Sequence, residues 1–335
     1  MKRTVKTAVL STLVLASIGM STSFADIFYW DGGASGEWNT TSKTWRKGTP
    51  DGSQQAWVNG NSAIFPDKAE ITLKENITLS YPKDDKEKVA LVCRKGGVMI
   101  KGDATLTFSL QDGNTFVANY HSPGVLTIDA PVVLKSESGA PGEFQFRSNI
   151  ILNGKVSDGG VKHTLAAVFE SVTLNNANEL TGTVSSSLHP GSKLLIANDK
   201  ALGSAVLLWR GVIEAANGNR TLANTIQWQW NVTQPVEGKD NIHFTAPQTF
   251  MNGHEQKKPT FTVAGPGNLV FYKVSSSADY GGGFVKDGNG GMIIKEYDNA
   301  KNSVSVDLKG GTLELGNIAK DEIMATGAIT FGKSK

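Results

Sequence analysis

Histidines, carboxylates and one cysteine are the side chains of this sequence with the chemistry for catalysis or metal binding. The five histidines are widely scattered, and none pairs with another histidine or with the cysteine at metal-ligand spacing. They are His121, His163, His189, His243 and His254. We predict loop or surface histidines, and the sequence indicates no catalytic, cofactor-binding or metal-binding residue.

The segment Asp287-Gly-Asn289-Gly-Gly291 is similar to the start of a calcium-binding loop. The EF-hand pattern requires Asp or Asn at the position of Gly291, Gly at the position of Met292, and flanking helices. The segment meets none of these requirements. We therefore expect a turn, with a loose calcium contact as the alternative.

Asp298, Lys301 and Asp307 come nearest to a cluster of acids and bases. Hydrolysis of glycosides needs paired carboxylates, and cleavage of acidic polysaccharides would need a basic side chain near bound calcium. Either reaction would need several Asp, Lys and Arg side chains stacked on adjacent coils. A polysaccharide lyase or hydrolase is therefore the second alternative to a protein that is not an enzyme.

Trp228 and Trp230 lie on the same face of a predicted strand as Ile226 and Val232. One interpretation is an aromatic platform on which sugar rings stack. The other is that all four side chains face the core, and the aliphatic neighbours favour it. A glycan-binding module that uses Trp228 and Trp230 is the first alternative function.

Cys93 alternates in phase with Val89 and Leu91, which places it on the apolar face of a strand. We predict that it behaves as a small buried hydrophobic residue. A single thiol cannot form an internal disulfide, so the stability of the fold must come from packing.

The elements that position these side chains are short apolar runs with a period of two. The alternation and the many threonines and β-branched residues predict strands, and the 37 glycines, with Asn and Asp, predict tight turns. Clear runs are Ala104–Leu110, Phe144–Phe146, Phe261–Val263, Val304–Leu308 and Leu313–Leu315. The chain is therefore all-β, either an antiparallel sandwich or barrel or a coiled parallel sheet.

An internal repeat favours the coiled sheet. Three segments resemble three later ones, at an offset of about 120 residues in nearly constant register. The pairs are Val172–Asn178 with Met292–Asn299, Lys193–Asn198 with Thr312–Asn317, and Gly203–Leu208 with Gly327–Phe331. Repeated strand–turn units are typical of a solenoid, here with roughly 20–25 residues per coil.

The second half of the chain carries this repeat most clearly. One copy reads Leu174-Asn-Asn-Ala-Asn-Glu-Leu-Thr181-Gly182-Thr183, Gly191-Ser-Lys-Leu-Leu-Ile196-Ala-Asn198, Ala201-Leu202-Gly203-Ser204 and Gly211-Val-Ile-Glu-Ala215, and another closes with Gly310-Gly311-Thr312-Leu-Glu-Leu315-Gly316-Asn317. These segments resemble the autotransporter-associated β-strand repeat family, over residues 165–335 and more weakly over 26–165. The resemblance implies a passenger-type protein built as a right-handed parallel β-helix.

The segment after residue 25 also resembles the entry segment of such proteins. It carries Trp30-Asp31-Gly32-Gly33, then Trp38, Trp45 and Asn61-Ser-Ala-Ile-Phe65. Because the open end of a solenoid needs a cover, we predict a Trp-rich N-terminal cap over residues 26–66. The β-helix repeat domain is then predicted over residues 67–335, truncated at its C-terminus, since passengers usually precede a translocating barrel.

Residues 1–25 are predicted to be an export signal. Lys2, Arg3 and Lys6 form a basic head, an apolar stretch too short to span a bilayer follows, and Ser23 and Ala25 suit a cleavage site before Asp26. We expect a secreted or cell-surface protein without a transmembrane segment in its mature chain. Attachment to an outer membrane is expected only if a C-terminal domain is missing from this chain.

The charge balance argues against a nucleic-acid partner. Loss of the signal removes three of the 33 Lys and Arg residues and leaves 31 Asp and Glu residues, so the net charge becomes −1. Binding to nucleic acid needs a clustered basic surface, which no run of this sequence supplies. Host or extracellular glycans and surface proteins are the expected partners of a non-enzymatic scaffold or adhesin-like stalk that needs no cofactor.

Overall fold

A computed structural model describes residues 25–82, 88–111, 115–119, 123–187, 189, 191–228, 233–250, 259–276, 283–298, 305–316 and 330–331. Within these ranges every regular element is a β-strand, as the sequence predicts. Accordingly, this part of the chain offers no helix of the length and apolar character needed to cross a membrane. Apart from Ala25, the predicted export signal lies outside the described residues.

The strands are short and follow each other closely. The first seventeen are β1 (Ile27–Trp30), β2 (Ser35–Trp38), β3 (Trp45–Lys47), β4 (Gln54–Gln55), β5 (Ser62–Phe65), β6 (Ala69–Leu73), β7 (Ile77–Leu79), β8 (Val89–Cys93), β9 (Val98–Lys101), β10 (Leu106–Leu110), β11 (Thr115–Ala118), β12 (Leu126–Ile128), β13 (Val132–Ser136), β14 (Glu143–Arg147), β15 (Ile150–Leu152), β16 (Val156–Ser157) and β17 (Thr164–Val168). They are followed by β18 (Ser171–Leu174), β19 (Thr183–Ser186), β20 (Lys193–Ile196), β21 (Val206–Trp209), β22 (Val212–Ala215), β23 (Arg220–Leu222), β24 (Ile226–Trp228), β25 (Thr233–Glu237), β26 (Ile242–Phe244), β27 (Gln248–Phe250), β28 (Thr260–Val263), β29 (Asn268–Ser276), β30 (Gly283–Asp287), β31 (Gly291–Asp298), β32 (Ser305–Leu308), β33 (Thr312–Leu315) and β34 (Thr330–Phe331).

These strands stack into four sheets. Sheet A has 11 strands in the order β24-β21-β19-β17-β14-β11-β8-β5-β1-β3-β4, and sheet B has 13 in the order β2-β6-β9-β12-β15-β18-β20-β22-β25-β28-β30-β32-β34. Sheet C contains β16-β13-β10-β7, and sheet D contains β23-β26-β29-β31-β33 with β27 beside β29. Between successive strands of sheet B, the described chain passes through sheet A, through sheet C or D, or through both, and it returns to sheet B one strand further along. The architecture is therefore a parallel β-solenoid.

The register of sheet B shows the coil repeat. Val172 pairs with Ile150 on one side and with Leu194 on the other, each 22 residues away. Leu126 and Ile213 extend the same ladder, and all five side chains are fully buried. Burial of one such aliphatic side chain contributes about 1.5–3 kcal/mol, so the ladder is a main source of stability.

Four tryptophans cluster at the first coil. Trp38 lies in contact with Trp45 and Trp57 at ring-centroid distances of 4.8 and 5.0 Å, and Trp30 and Phe65 complete the group. β1 pairs in parallel with β5, whereas the pairings of β1 with β3 and of β3 with β4 are antiparallel. The short strand β4 therefore forms this end of sheet A, inside the segment predicted as a cap.

Candidate functional site

A depression of about 320 Å³ lies on the outer face of sheet A. We call it the sheet A groove. It crosses β14, β17, β19, β21 and β24 and the turns that follow β19 and β21. Its walls and floor are formed by Glu143, Gln145, Thr164, Ala166, Val168, Thr183, Ser185, Ser187, His189, Leu208, Arg210 and Gln227.

The groove results from the sizes of side chains that share one register position. Gln145, Ala166, Ser185, Leu208 and Gln227 are consecutive partners across the five strands. Successive side chains of a strand point to opposite faces, so these five face outward while their neighbours fill the core. Ala166 and Ser185 are small and nearly buried, at 5% and 4% exposure, so the middle of the row forms a floor between larger side chains.

Arg147 borders the groove beside the lining residue Gln145, and its neighbours on β14 hold it in place. Its Nε and Nη2 donate hydrogen bonds to Oε1 of Gln145 over 2.8 and 2.6 Å. The amide of Gln145 donates in turn to Oε1 of Glu143 over 2.5 Å. The guanidinium lies 5.7 Å from the ring centroid of Phe169, a cation–π distance. These contacts fix Arg147 and Gln145 in one orientation.

Arg210 supplies a second cation, and its backbone is fixed. The amide of Arg210 donates to Oγ of Ser186 over 3.1 Å, and Gly211 donates to the same oxygen. By contrast, Nε of the Arg210 side chain is buried and has no hydrogen-bond partner in the part of the chain that the structure describes. A buried donor without a partner costs about 1–3 kcal/mol. The Arg210 side chain as a whole is half-buried and lines the groove, so its guanidinium is the cationic group available to a ligand there.

At the rim of the groove, His189 belongs to the lining and Phe169 packs against its ring. Their ring centroids are 4.3 Å apart and their planes are tilted by 34°. Phe169 has φ of +71°, a left-handed conformation that is unusual for a bulky residue. The corner that follows β14, one coil earlier, is also left-handed but carries Ser148, at +79°. An aromatic ring thus occupies a strained position beside Arg147.

The chemistry of the groove suits binding. Glu143 is the one carboxylate among the described residues that line it, whereas glycoside hydrolysis uses two. Hydroxyls and amides from Thr164, Thr183 and Gln227 can both donate and accept hydrogen bonds. The lining carries one guanidinium, that of Arg210, and one carboxylate, and Arg147 beside Gln145 adds a second positive charge at the border of the groove.

The sequence-predicted residues lie elsewhere. Trp228 is 7% exposed and packs against Phe250 and Phe261 at centroid distances of 5.3 and 5.4 Å. Its burial favours the core interpretation over an aromatic platform, and Trp230 is outside the described residues. Lys301 and the side chain of Asp298 also lie outside the described residues. Of the predicted cluster of acids and bases, the structure therefore describes only the side chain of Asp307, on β32.

His163 and His189 lie in loops, as predicted, whereas His243 is half-buried in β26. His189 is exposed, as expected, but His163 is only 1% exposed. Nδ1 of His163 accepts a hydrogen bond from the amide of Gly142 over 3.0 Å, and the ring packs on Phe144. Burial lowers the pKa of His163 and the nearby Asp158 opposes this shift, so the ring is a neutral structural group.

Two further predictions are confirmed. Cys93 is buried in the core cluster, and burial raises the pKa of its thiol. The segment at Asp287 forms a turn in which the amide of Gly288 donates to Oδ1 of Asp287 over 2.7 Å. Within the described ranges, no three His, Cys, Asp or Glu side chains are grouped closely enough to hold a metal ion.

Comparisons with protein-family models, with curated proteins and with solved structures found no match to this chain. Function must therefore be inferred from the fold and the groove themselves.

Proposed function

We propose that the chain is an exported, non-enzymatic β-solenoid that serves as an adhesin-like scaffold on the cell surface or outside the cell. The observation that carries this proposal is the stacking of parallel strands into sheets of 11 and 13 strands around one buried core. Each coil is hydrogen-bonded to the coils before and after it, which makes a solenoid extended and stiff. Such a body acts through its length and its lateral surface.

The first described residues fit export with cleavage after Ala25. β1 begins at Ile27, and the amide of Asp26 donates to Oδ1 of Asn61 over 2.5 Å. Cleavage between Ala25 and Asp26 would therefore leave all described strands in place. The proposed cleavage site is therefore compatible with the described fold.

Export is tested by expressing the full chain in a bacterium with two membranes and determining the N-terminus of the protein found outside the cytoplasm. We expect the mature chain to begin at Asp26. The double variant Leu13→Arg and Leu15→Arg interrupts the apolar stretch, so it should keep the precursor in the cytoplasm. An uncleaved wild-type chain that stays in the cytoplasm would overturn the proposal.

The non-enzymatic part is tested separately with purified mature protein. Polyuronates and neutral polysaccharides are incubated with it, with and without calcium. We expect neither unsaturated products nor new reducing ends. Product that accumulates with time and with enzyme concentration would contradict a scaffold role and favour a lyase or hydrolase.

A further inference from the structure

The sheet A groove has a length and a chemistry that restrict its ligand. Five strands at about 4.8 Å spacing extend over about 19 Å, which suits a short chain molecule better than a single small one. Its surface is dense in hydroxyl, amide and guanidinium groups, and the apolar atoms of Ala166, Val168 and Leu208 lie between them. Sugar rings present the same mixture, with hydroxyls at their edges and C–H groups on their faces.

A peptide fits this surface less well. Proteins hold extended peptides by adding a strand to a free sheet edge or by accommodating side chains in apolar pockets. The strands that form the floor, β17, β19 and β21, are paired on both sides. They have no free edge to offer, and the floor is shallow and polar. The ligand class favoured by the surface is therefore a saccharide.

Arg210 indicates that the saccharide carries negative charge. Its buried Nε lacks a partner among the described residues, and a guanidinium pairs with carboxylate or sulfate by charge-assisted hydrogen bonds. Arg147, fixed by the lining residue Gln145, adds a second positive charge at the border of the groove. Glu143 is engaged by the amide of Gln145 and offsets part of this charge. Because the Arg210 side chain is half-buried and lines the groove, its guanidinium can pair with a bound anion, and a small change of its side-chain conformation would bring Nε into the same contact.

Phe169 gives an independent indication of function. A bulky residue in the left-handed region costs about 1–2 kcal/mol, and the equivalent corner before it uses serine. Strain of this kind persists where the surroundings require the side chain. Here the ring stacks on His189 and faces Arg147 at the groove rim, where it can contact a sugar face.

From these observations we infer that the sheet A groove binds an acidic oligosaccharide, with Arg210 paired to its carboxylate or sulfate groups and Phe169 packed at its rim. This inference rests on the proposed function, because it assigns a ligand to the lateral surface of the scaffold. It concerns the purified chain alone, so absence of binding would overturn it and leave the export result unchanged.

The test is calorimetric titration of the mature chain with four probes of similar length. They are an oligogalacturonate, the same oligosaccharide with its carboxyl groups reduced, a sulfated oligosaccharide and a poly-glutamate peptide. We expect the carboxyl-reduced sugar to bind at least tenfold more weakly than the uronate, and comparison of the uronate with the sulfated sugar identifies the preferred anion. Equal binding of the uronate and its reduced form, or tighter binding of the peptide, would contradict the inference.

Two variants assign the interaction to the groove. Arg210→Gln should weaken uronate binding by about tenfold, which corresponds to about 1.4 kcal/mol, whereas Arg94→Gln, outside the groove lining, should bind like wild type. Phe169→Asn should weaken uronate binding because the variant lacks the aromatic ring. The thermal unfolding midpoint of this variant should not fall, because Asn tolerates the left-handed region. Wild-type affinity in both groove variants would overturn the assignment.

Discussion

The carboxylate of Asp158 accepts hydrogen bonds from both the amide and the hydroxyl of Thr181 in the next coil, over 2.7 and 3.0 Å. The amides of Gly182 and Gly160 donate to the same carboxylate over 3.2 and 3.0 Å. Asp158 is completely buried. One side chain thus connects two coils at the Thr-Gly turn that the repeat pattern marks.

Asp158→Ala should destabilise the protein by about 1–3 kcal/mol, because the part-buried donors of Thr181, Gly182 and Gly160 lose the side chain that accepts their hydrogen bonds. Local hydrogen exchange at residues 181–183 is the suitable measurement, since long repeat arrays do not always unfold in a single transition. Asp129→Asn is the control, because Asp129 is exposed and its carboxylate accepts a hydrogen bond from the side chain of Asn153 and from no other described residue. Equal protection in Asp158→Ala and wild type would contradict the linking role.

Gly182→Ala should lower the stability of the protein more than a glycine substitution at an uncrowded position of this chain. A Cβ atom at position 182 would lie 2.2 Å from the carbonyl oxygen of His163, which is backbone and cannot rotate away. Gly97→Ala is the control, because its Cβ would meet Val125 O at 3.4 Å. Urea unfolding should show a clearly lower midpoint for Gly182→Ala alone, and matching midpoints would show that the coil spacing adapts.

Lys286 should make stability increase with pH in alkaline solution. It is fully buried and donates to the carbonyls of Asp287, Gly288 and Gly310, at 2.7 to 3.1 Å. Burial lowers its pKa to about 8, and the Asp287 charge opposes the shift. Unfolded lysine titrates near 10.4, so from about pH 8 to about 10.4 the unfolded chain binds more protons and the free energy of unfolding rises.

The measurement compares wild type with Lys286→Met by urea unfolding at several pH values from 7 to 10.5. The difference in unfolding free energy should change in favour of wild type as pH rises through this window. It should be constant below about pH 8, where lysine is protonated in both states. A difference that does not vary with pH would show that Lys286 keeps an ordinary pKa in the fold.

Cys93 should be unreactive in the native protein. Burial raises the pKa of its thiol, and the thiolate is the species that reacts with disulfide reagents. We expect modification at pH 8 to be slow in buffer and fast in urea. Val58→Cys in a Cys93→Ala background is the control, because Val58 is 55% exposed. Rapid labelling of native wild type would indicate that the coils around β8 open readily.

Local patterns explain what could be predicted from the sequence. The phase of Cys93 with Val89 and Leu91 depends on neighbours along the chain and predicted the correct strand face. The recurrence of short strand–turn units predicted the solenoid, although the matched segments at Val172 and Met292 lie in different sheets. The buried face of Trp228 followed from its aliphatic flanks in the same way. These signals depend on alternation, which a strand fixes by geometry alone.

The groove could not be predicted because it depends on register between coils. Gln145, Ala166, Ser185, Leu208 and Gln227 share one row although they are separated by 21, 19, 23 and 19 residues. No fixed sequence period connects them, because the turns between the strands differ in length. Their alignment in one row is therefore visible only in the folded structure. A pair of small residues in successive outward positions was the available signal. The burial of His163 could not be predicted for a related reason, since its hydrogen-bond partner Gly142 comes from the preceding coil.

The equal 22-residue steps from Ile150 to Val172 and from Val172 to Leu194 make the middle of the protein modular. Excision of residues 172–193 would bring Leu194 against Ile150 and shorten the rod by one step with its interior still closed. Loss of a single residue within a strand would instead turn apolar side chains outward. The length of this rod can therefore change during evolution by the gain or loss of whole coils.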